Sequence, residues 1–98
     1  MKLENLLESV LLNHHQRLVL LQIKLSETPA LAYERVSGDE ANIKSRDMLR
    51  RFGYIKLSED RGEVVLTDKG TSALTRYGLI DDMGETTEVG QELIASYQ

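Results

Sequence analysis

The stretch SRDMLRRFGYIKLSEDRGEVVLTDKG, residues 45–70, contains the signals that decide the fold of this 98-residue chain. Its first part continues a helical pattern that ends at Gly53, because glycine commonly follows the last residue of a helix. Two runs of alternating apolar and polar residues come next, on either side of the turn segment Glu59-Asp60-Arg61-Gly62, and such alternation indicates a β-hairpin. Thr67 or Asp68 then caps a further helix. The stretch therefore predicts a helix, a hairpin and a second helix.

The helix that leads into this stretch, about 40–52, is predicted to be amphipathic, with Asp39 as its cap. On a wheel of 100° per residue, one arc of about 100° collects the side chains expected to face the core. These are Ala41, Ser45, Met48, Leu49 and Phe52. The remaining surface holds Lys44, Arg46, Asp47, Arg50 and Arg51, together with Ile43. Arg46 is thus expected to face solvent with the other bases.

Two more helices are predicted before this one. Arg17–Leu25 is strongly apolar and is expected to lie in the core, after a polar interruption at residues 13–15. Thr28 followed by Pro29 is a typical helix start, and the short helix that it begins is expected to end at Ser37-Gly38. Two helices joined by a tight turn that contains glycine form the helix-turn-helix pattern.

The remaining predicted elements are the hairpin and one helix near each end of the chain. In the hairpin, alternation places Ile55, Leu57, Val64 and Leu66 on one side, with Tyr54 and Lys56 on the other. Leucines at positions 3, 6, 7 and 11 predict an amphipathic N-terminal helix. A last helix, about Glu88–Tyr97, is expected to bury Val89, Leu93 and Ile94.

The C-terminal part also repeats an earlier phrase. Thr87-Glu88-Val89-Gly90 matches Thr67-Asp68-Lys69-Gly70, and each phrase is preceded by a glycine with two apolar or aromatic residues, Gly78-Leu79-Ile80 and Gly53-Tyr54-Ile55. Threonine with an acidic residue next to it is a common helix start, so the repetition has two explanations. One is recurrent capping chemistry, and the other is an internal duplication.

The order of elements, together with two phrases, resembles winged-helix domains of the MarR-like and related prokaryotic and viral regulators. The phrases are Leu49-Arg50-Arg51-Phe52-Gly53-Tyr54-Ile55 and Val65-Leu66-Thr67-Asp68-Lys69-Gly70. The resemblance covers about residues 16–77. It implies an α+β, mostly helical fold: a winged helix with a two-stranded hairpin as its wing. Around this core a single domain over 1–98 is expected, with an N-terminal helix at 1–13 and an acidic C-terminal extension at 79–98.

The same resemblance implies a function in DNA binding. In such proteins the second helix of the helix-turn-helix, here 40–52, enters the major groove, and the wing, here 54–67, contacts the backbone. A small transcriptional regulator that binds double-stranded DNA is therefore expected. The leucine stripe of the N-terminal helix has two explanations: it pairs with a second copy in a homodimer, as N-terminal helices often do in such regulators, or it covers the core of a single chain. The candidate DNA contacts are Asn42, Lys44, Ser45, Arg46, Arg50, Arg51, Lys56 and Arg61.

Charge supports an alternative. The net charge is −4, and residues 79–98 contain five acidic residues and no basic one. By contrast, residues 41–57 contain five basic residues and one acidic one. The alternative is a winged-helix protein–protein interaction module that uses an acidic surface at Asp81, Asp82 and Glu85 without nucleic acid.

Several classes of function have no support in the sequence. The chain has no cysteine, no glycine-rich phosphate loop and no spacing typical of zinc ligands. His14 and His15 are adjacent, so on a helix they point about 100° apart and cannot share one ion well. We therefore expect no enzymatic activity, no metal and no cofactor. The longest apolar run, Leu18–Leu21, is too short to span a bilayer, and a cytoplasmic location is expected.

Overall fold

A computed structural model of the chain describes residues 11–96. They form an α+β structure of five helices and one two-stranded antiparallel sheet. The elements in chain order are α1 (His14–Leu25), α2 (Pro29–Arg35), α3 (Glu40–Arg51), β1 (Ile55–Ser58), β2 (Glu63–Leu66), α4 (Asp68–Arg76) and α5 (Glu88–Ala95). The N-terminal helix expected over residues 1–13 lies outside the described residues, except for 11–13, which are not helical.

Local capping side chains fix where the helices begin, and α1 begins at His14 rather than at Arg17 as expected. Asn13 caps α1 in a capping box with Gln16: its side chain accepts from the Gln16 N–H at 2.7 Å, and its own N–H donates to Gln16 Oε1 at 3.0 Å. Thr28 caps α2 ahead of Pro29, and Asp39 caps α3. These side chains satisfy amide groups that have no partner within the helix. The polar interruption at residues 13–15 is therefore the start of α1.

The core is built around α1. Leu18, Val19, Leu20, Leu21 and Ile23 are all buried, so α1 is apolar on more than one face. It packs against α2, α3, β2, α4 and α5, which together cover these faces. The prediction that residues 17–25 lie in the core is confirmed for these five residues, whereas Leu25 at the end of α1 is 42% exposed.

The wheel predicts most of the burial of α3, with two errors. Leu49 and Ser45 are buried, and Phe52 packs against the core as expected. Ala41, however, is exposed, and Arg46 is only 5% exposed. Helical periodicity gives the direction of each side chain around the helix axis. It does not show which other parts of the chain cover that side chain. The expectation that Arg46 faces solvent is therefore wrong.

The two predicted runs form a hairpin in which their apolar positions face the same way. Ile55 lies opposite Leu66 and Leu57 opposite Val64, so the four apolar side chains share one face. Tyr54 was expected on the other face but is only 1% exposed. It precedes β1, at a junction where Gly53 takes φ 84° and the Tyr54 N–H donates to Leu49 O at 2.9 Å. The chain reverses there, so the alternation of the strand does not extend back to Tyr54.

The repeated phrase forms the same junction twice. The Thr67 N–H donates to Tyr54 O at 3.1 Å, and the Thr87 N–H donates to Leu79 O at 3.0 Å. Each threonine hydroxyl also donates to the carbonyl of the glycine that ended the previous helix, Gly53 or Gly78. The first junction encloses the hairpin, and the second encloses a single bridge between Ile80 and Thr86. The repetition is therefore one of backbone geometry as well as of sequence.

The last described helix buries a different set of residues from the one predicted. Leu93 is buried and Ile94 half-buried, but Val89 is 54% exposed. Gly90 is the residue that faces inward, because its backbone packs directly on the carbonyl of Leu79. That contact turns Val89 outward. No helix within residues 11–96 combines the length and the apolar character needed to cross a membrane.

Candidate nucleic-acid interface

Three of the predicted basic residues are exposed on α3. Lys44 lies in its second turn, and Arg50 and Arg51 lie in its last turn. The side of α3 away from them is held by Leu49, which is fully buried. The helix is therefore anchored along one side and presents cations on the other.

The hairpin contributes two more exposed cations. Lys56 lies on the outer face of β1, and Arg61 lies in the turn between the strands. The turn is ordered by local hydrogen bonds, from the Arg61 N–H to Ser58 Oγ at 3.3 Å and from the Gly62 N–H to Glu59 O at 3.2 Å. Gly62 takes φ 62°, a conformation that favours glycine.

These five cations have no carboxylate partner in the described part of the chain. The ion pairs within 4.0 Å among residues 11–96 are Arg46–Asp47 and Arg46–Glu59. Because an exposed cation without a partner contributes fully to the local potential, this surface attracts anions more than the net charge suggests. Acidic residues do lie nearby, at Glu40 on α3 and Asp60 in the hairpin turn.

Arg46 is buried, and its guanidinium is hydrogen-bonded within the fold. Its Nε and Nη2 donate to Asp47 Oδ1 at 3.3 and 3.2 Å, and its Nη1 donates to Ser37 Oγ at 2.8 Å. Nη2 is also 3.8 Å from Glu59 Oε1. A buried guanidinium requires such partners, because removing its charge from water is costly. Arg46 is therefore not available as a surface contact.

Ser45 and Asn42 are also engaged within the fold. Ser45 is 7% exposed, and its Oγ is hydrogen-bonded to His15 Nδ1 of α1 at 2.8 Å. Asn42 is half-buried, and its Nδ2 donates to Arg35 O at 3.3 Å, which ties α3 to the end of α2. The surface set is thus the five exposed cations, with Asn42 at the edge of the α2–α3 turn.

Lys69 is a positioning residue that the sequence analysis missed. Its Nζ donates to Phe52 O at 2.8 Å and lies 4.9 Å from the centre of the Tyr54 ring. A cation at the last carbonyls of α3 opposes the negative end of the helix dipole. Lys69 belongs to the phrase Val65-Leu66-Thr67-Asp68-Lys69-Gly70, but its spacing in that phrase does not show that its side chain reaches the end of another helix.

The acidic candidates lie in a separate loop between α4 and α5. Asp81 Oδ1 accepts from the N–H groups of Met83 at 2.9 Å and Glu85 at 3.0 Å, which closes the loop. Asp82 and Glu85 are exposed, and Met83 between them is 86% exposed. Asp81 therefore organises this loop, whereas Asp82, Met83 and Glu85 form its surface.

No protein-family model matches this chain, and no curated protein or solved structure is significantly similar to it. Within residues 11–96, no group of three or more His, Cys, Asp or Glu side chains is placed to hold a metal ion.

Proposed function

We propose that this chain is a DNA-binding winged-helix protein that acts as a small transcriptional regulator in the cytoplasm. In this proposal α3 enters the major groove and the β1–β2 hairpin is the wing. An α-helix with its side chains is about 10–12 Å across and the major groove is about 12 Å wide, so α3 can lie in the groove, where its 12 residues extend over about 18 Å. Arg50 and Lys44 would reach base edges or phosphates, and Arg51, Lys56 and Arg61 would contact the backbone.

The observation that carries the proposal is the distribution of charge around α3. Asp47, the acidic residue in the middle of its exposed face, is paired with the buried Arg46, whereas Lys44, Arg50 and Arg51 have no such partner among the described residues. A buried cation thus offsets the carboxylate that would repel phosphate. The outward cations can then attract a polyanion with little repulsion from Asp47.

A DNA-binding titration across a salt series tests this proposal. Wild-type protein is expected to bind mixed-sequence duplex DNA at low salt, and its affinity should fall linearly on a log–log plot with a slope of about −0.9 per phosphate contact. Lys44→Ala and Arg50→Ala should each weaken binding by about 3- to 10-fold at moderate salt. Where the lost contact is to a phosphate, the slope should also fall by about one.

Arg76→Ala is the matched control. Arg76 is an exposed arginine in the last turn of α4, as Arg50 is in the last turn of α3, so the two variants change the net charge equally. If binding depends on position, Arg76→Ala retains most of the affinity. Absence of binding at low salt, or equal losses for Arg50→Ala and Arg76→Ala, would contradict the proposal.

The proposal includes a homodimer through the N-terminal helix, since twofold DNA sites pair with twofold proteins. That helix falls on residues outside the described part of the chain, apart from 11–13. Sedimentation equilibrium of the full chain distinguishes the states: the dimer predicts twice the mass of one chain at micromolar concentration, and a single-chain mass at all concentrations contradicts it.

A second candidate function is a protein-interaction module that uses the acidic loop. It is favoured by the loop itself, because Asp81 holds it closed while Asp82 and Glu85 are exposed with no cation within 4.0 Å among the described residues. A pull-down with the double reversal Asp82→Lys and Glu85→Lys tests it, since these residues do not hold the loop closed whereas Asp81 does. Unchanged partner capture by this variant, with loss in α3 variants, would exclude the acidic loop.

A further inference from the structure

The hairpin tip is in contact with both helices of the helix-turn-helix. Glu59 opens the turn at the tip, and its Oε1 is 3.8 Å from Arg46 Nη2 of α3. Gly62 closes the turn beside the Tyr33 ring of α2, so that a Cβ added at Gly62 would be 3.8 Å from that ring. The tip is therefore held at two points, one charged and one aromatic.

Arg46 connects all the elements that meet at this place. Its Cζ lies 5.7 Å from the centre of the Tyr33 ring, and its Nη1 donates to Ser37 in the turn between α2 and α3. Its Nε and Nη2 donate to Asp47 on α3, and Nη2 also forms an ion pair with Glu59 of the hairpin at 3.8 Å. The guanidinium can do this because its five donors lie in a rigid plane, which a lysine ammonium cannot reproduce.

We propose that Arg46 is a positioning residue: it clamps the hairpin tip to α3 and so sets where Arg61 and Lys56 stand relative to Lys44 and Arg50. This inference rests on the proposed DNA-binding function for its consequence, but the clamp itself can be measured without DNA. An isolated two-stranded hairpin is marginally stable in water, so the direction of its tip depends on tertiary contacts of this kind. Arg46 therefore acts on DNA through the hairpin and does not touch it.

The clamp also controls charge at the interface. Glu59 and Asp47 would both face an approaching phosphate as free carboxylates if Arg46 were neutral. With Arg46 between them, each has a cation within 4.0 Å. One buried arginine thus both positions a cationic hairpin and offsets two acids beside it.

The first test compares Glu59→Gln with Asp60→Asn by ¹⁵N relaxation of the backbone amides at residues 59–62. Both variants remove one negative charge from the same turn, but Asp60 has no ion-pair partner within 4.0 Å among the described residues. The clamp predicts that order parameters at the tip fall from about 0.85 towards 0.6 in Glu59→Gln and stay near the wild-type values in Asp60→Asn. Amides of α1 and α3 should be unchanged in both.

The second test is a double-mutant cycle on DNA affinity between Arg46→Gln and Arg61→Ala. If Arg46 acts through the hairpin, Arg61→Ala weakens binding about 3- to 10-fold in the wild-type background and less than about 2-fold in the Arg46→Gln background. Additive losses would mean that Arg46 acts independently of the hairpin. Glu59→Gln should show the same coupling to Arg61→Ala, which keeps the test decisive if Arg46→Gln does not fold.

The outcomes separate the two proposals. Equal tip order in Glu59→Gln and Asp60→Asn overturns the clamp, whatever the DNA measurements show. Loosening of the tip in Glu59→Gln alone, in a protein that binds no DNA at low salt, supports the clamp and overturns the proposed function. Loosening of the tip together with additive DNA losses overturns the role of the clamp in DNA binding.

Discussion

Replacing Gly70 by alanine tests the junction that joins the hairpin to α4. Gly70 lies in the first turn of α4, where its N–H donates to Thr67 Oγ1 at 3.1 Å. A Cβ at this position would fall well inside 3.0 Å of the Tyr54 carbonyl oxygen, closer than real Cβ atoms approach, and 3.3 Å from a methyl group of Leu66. The obstacle is backbone, so it cannot be removed by a side-chain rotation.

The magnitude follows from what has to move. Restoring ordinary contact requires the Tyr54 carbonyl to shift by something on the order of 1 Å, and this carbonyl accepts the Thr67 N–H at 3.1 Å. Overpacking costs about 1–3 kcal/mol, and the disturbed hydrogen bond costs about 1 kcal/mol more. The better helix propensity of alanine returns about 1 kcal/mol. We expect a net loss of roughly 1–3 kcal/mol in the free energy of unfolding.

Thermal and urea unfolding, followed by circular dichroism, measure this loss. For a domain of this size, a loss of roughly 1–3 kcal/mol lowers Tm by about 5–20 °C. Gly90→Ala should behave similarly, because Gly90 packs on the Leu79 carbonyl in the equivalent junction. Gly38→Ala is the control: the nearest atom to its added Cβ is Glu34 O at 4.0 Å, so its stability should change by less than about 0.5 kcal/mol. The reasoning is refuted if Gly70→Ala is as stable as Gly38→Ala.

Two further substitutions test hydrogen bonds that side chains of α4 and its C-cap make to other parts of the structure. Lys69→Met removes the donor to Phe52 O and should lower the free energy of unfolding by about 1 kcal/mol. Lys44→Met, at an exposed lysine, is the control and should change it little. Equal effects of the two variants in urea unfolding would argue against a role for Lys69 at the end of α3. Tyr77→Phe removes the hydroxyl that accepts the Leu12 N–H at 2.9 Å and should cost about 1–2 kcal/mol. Tyr33→Phe is its control, because no hydrogen bond of the Tyr33 hydroxyl occurs among the described residues, and a loss as large as that of Tyr77→Phe would contradict the assignment.

Most boundaries of the described elements could be predicted from the sequence because their causes are local. The caps at Thr28, Asp39 and Thr67 act within three residues, and Gly53 with φ 84° ends a helix through its own backbone. The start of α1 was the exception, since Asn13 begins the helix at His14 rather than at Arg17. The alternation of both strands was visible in the sequence, and an error of one residue in their pairing would expose a whole apolar face. Local chemistry of this kind does not depend on how the elements are placed in space.

The side chains that make up the site could be predicted only in part, because exposure depends on what packs against a residue from elsewhere in the chain. Lys44, Arg50 and Arg51 are exposed as the wheel predicts, but Arg46, which belongs to the same charged side, is enclosed by the α2–α3 turn and the hairpin tip. Lys69 reaches the end of α3 from 17 residues away.

The sequence by itself indicated where most helices and strands of the described region start and stop, because caps, glycine turns and alternation act over a few residues. Only the tertiary structure decided which charges remain at the surface. The buried guanidinium of Arg46 donates to Ser37 and Asp47 and lies 3.8 Å from the Glu59 carboxylate, and no local pattern indicates that these three groups converge. That convergence separates the buried arginine from the cations that stay exposed.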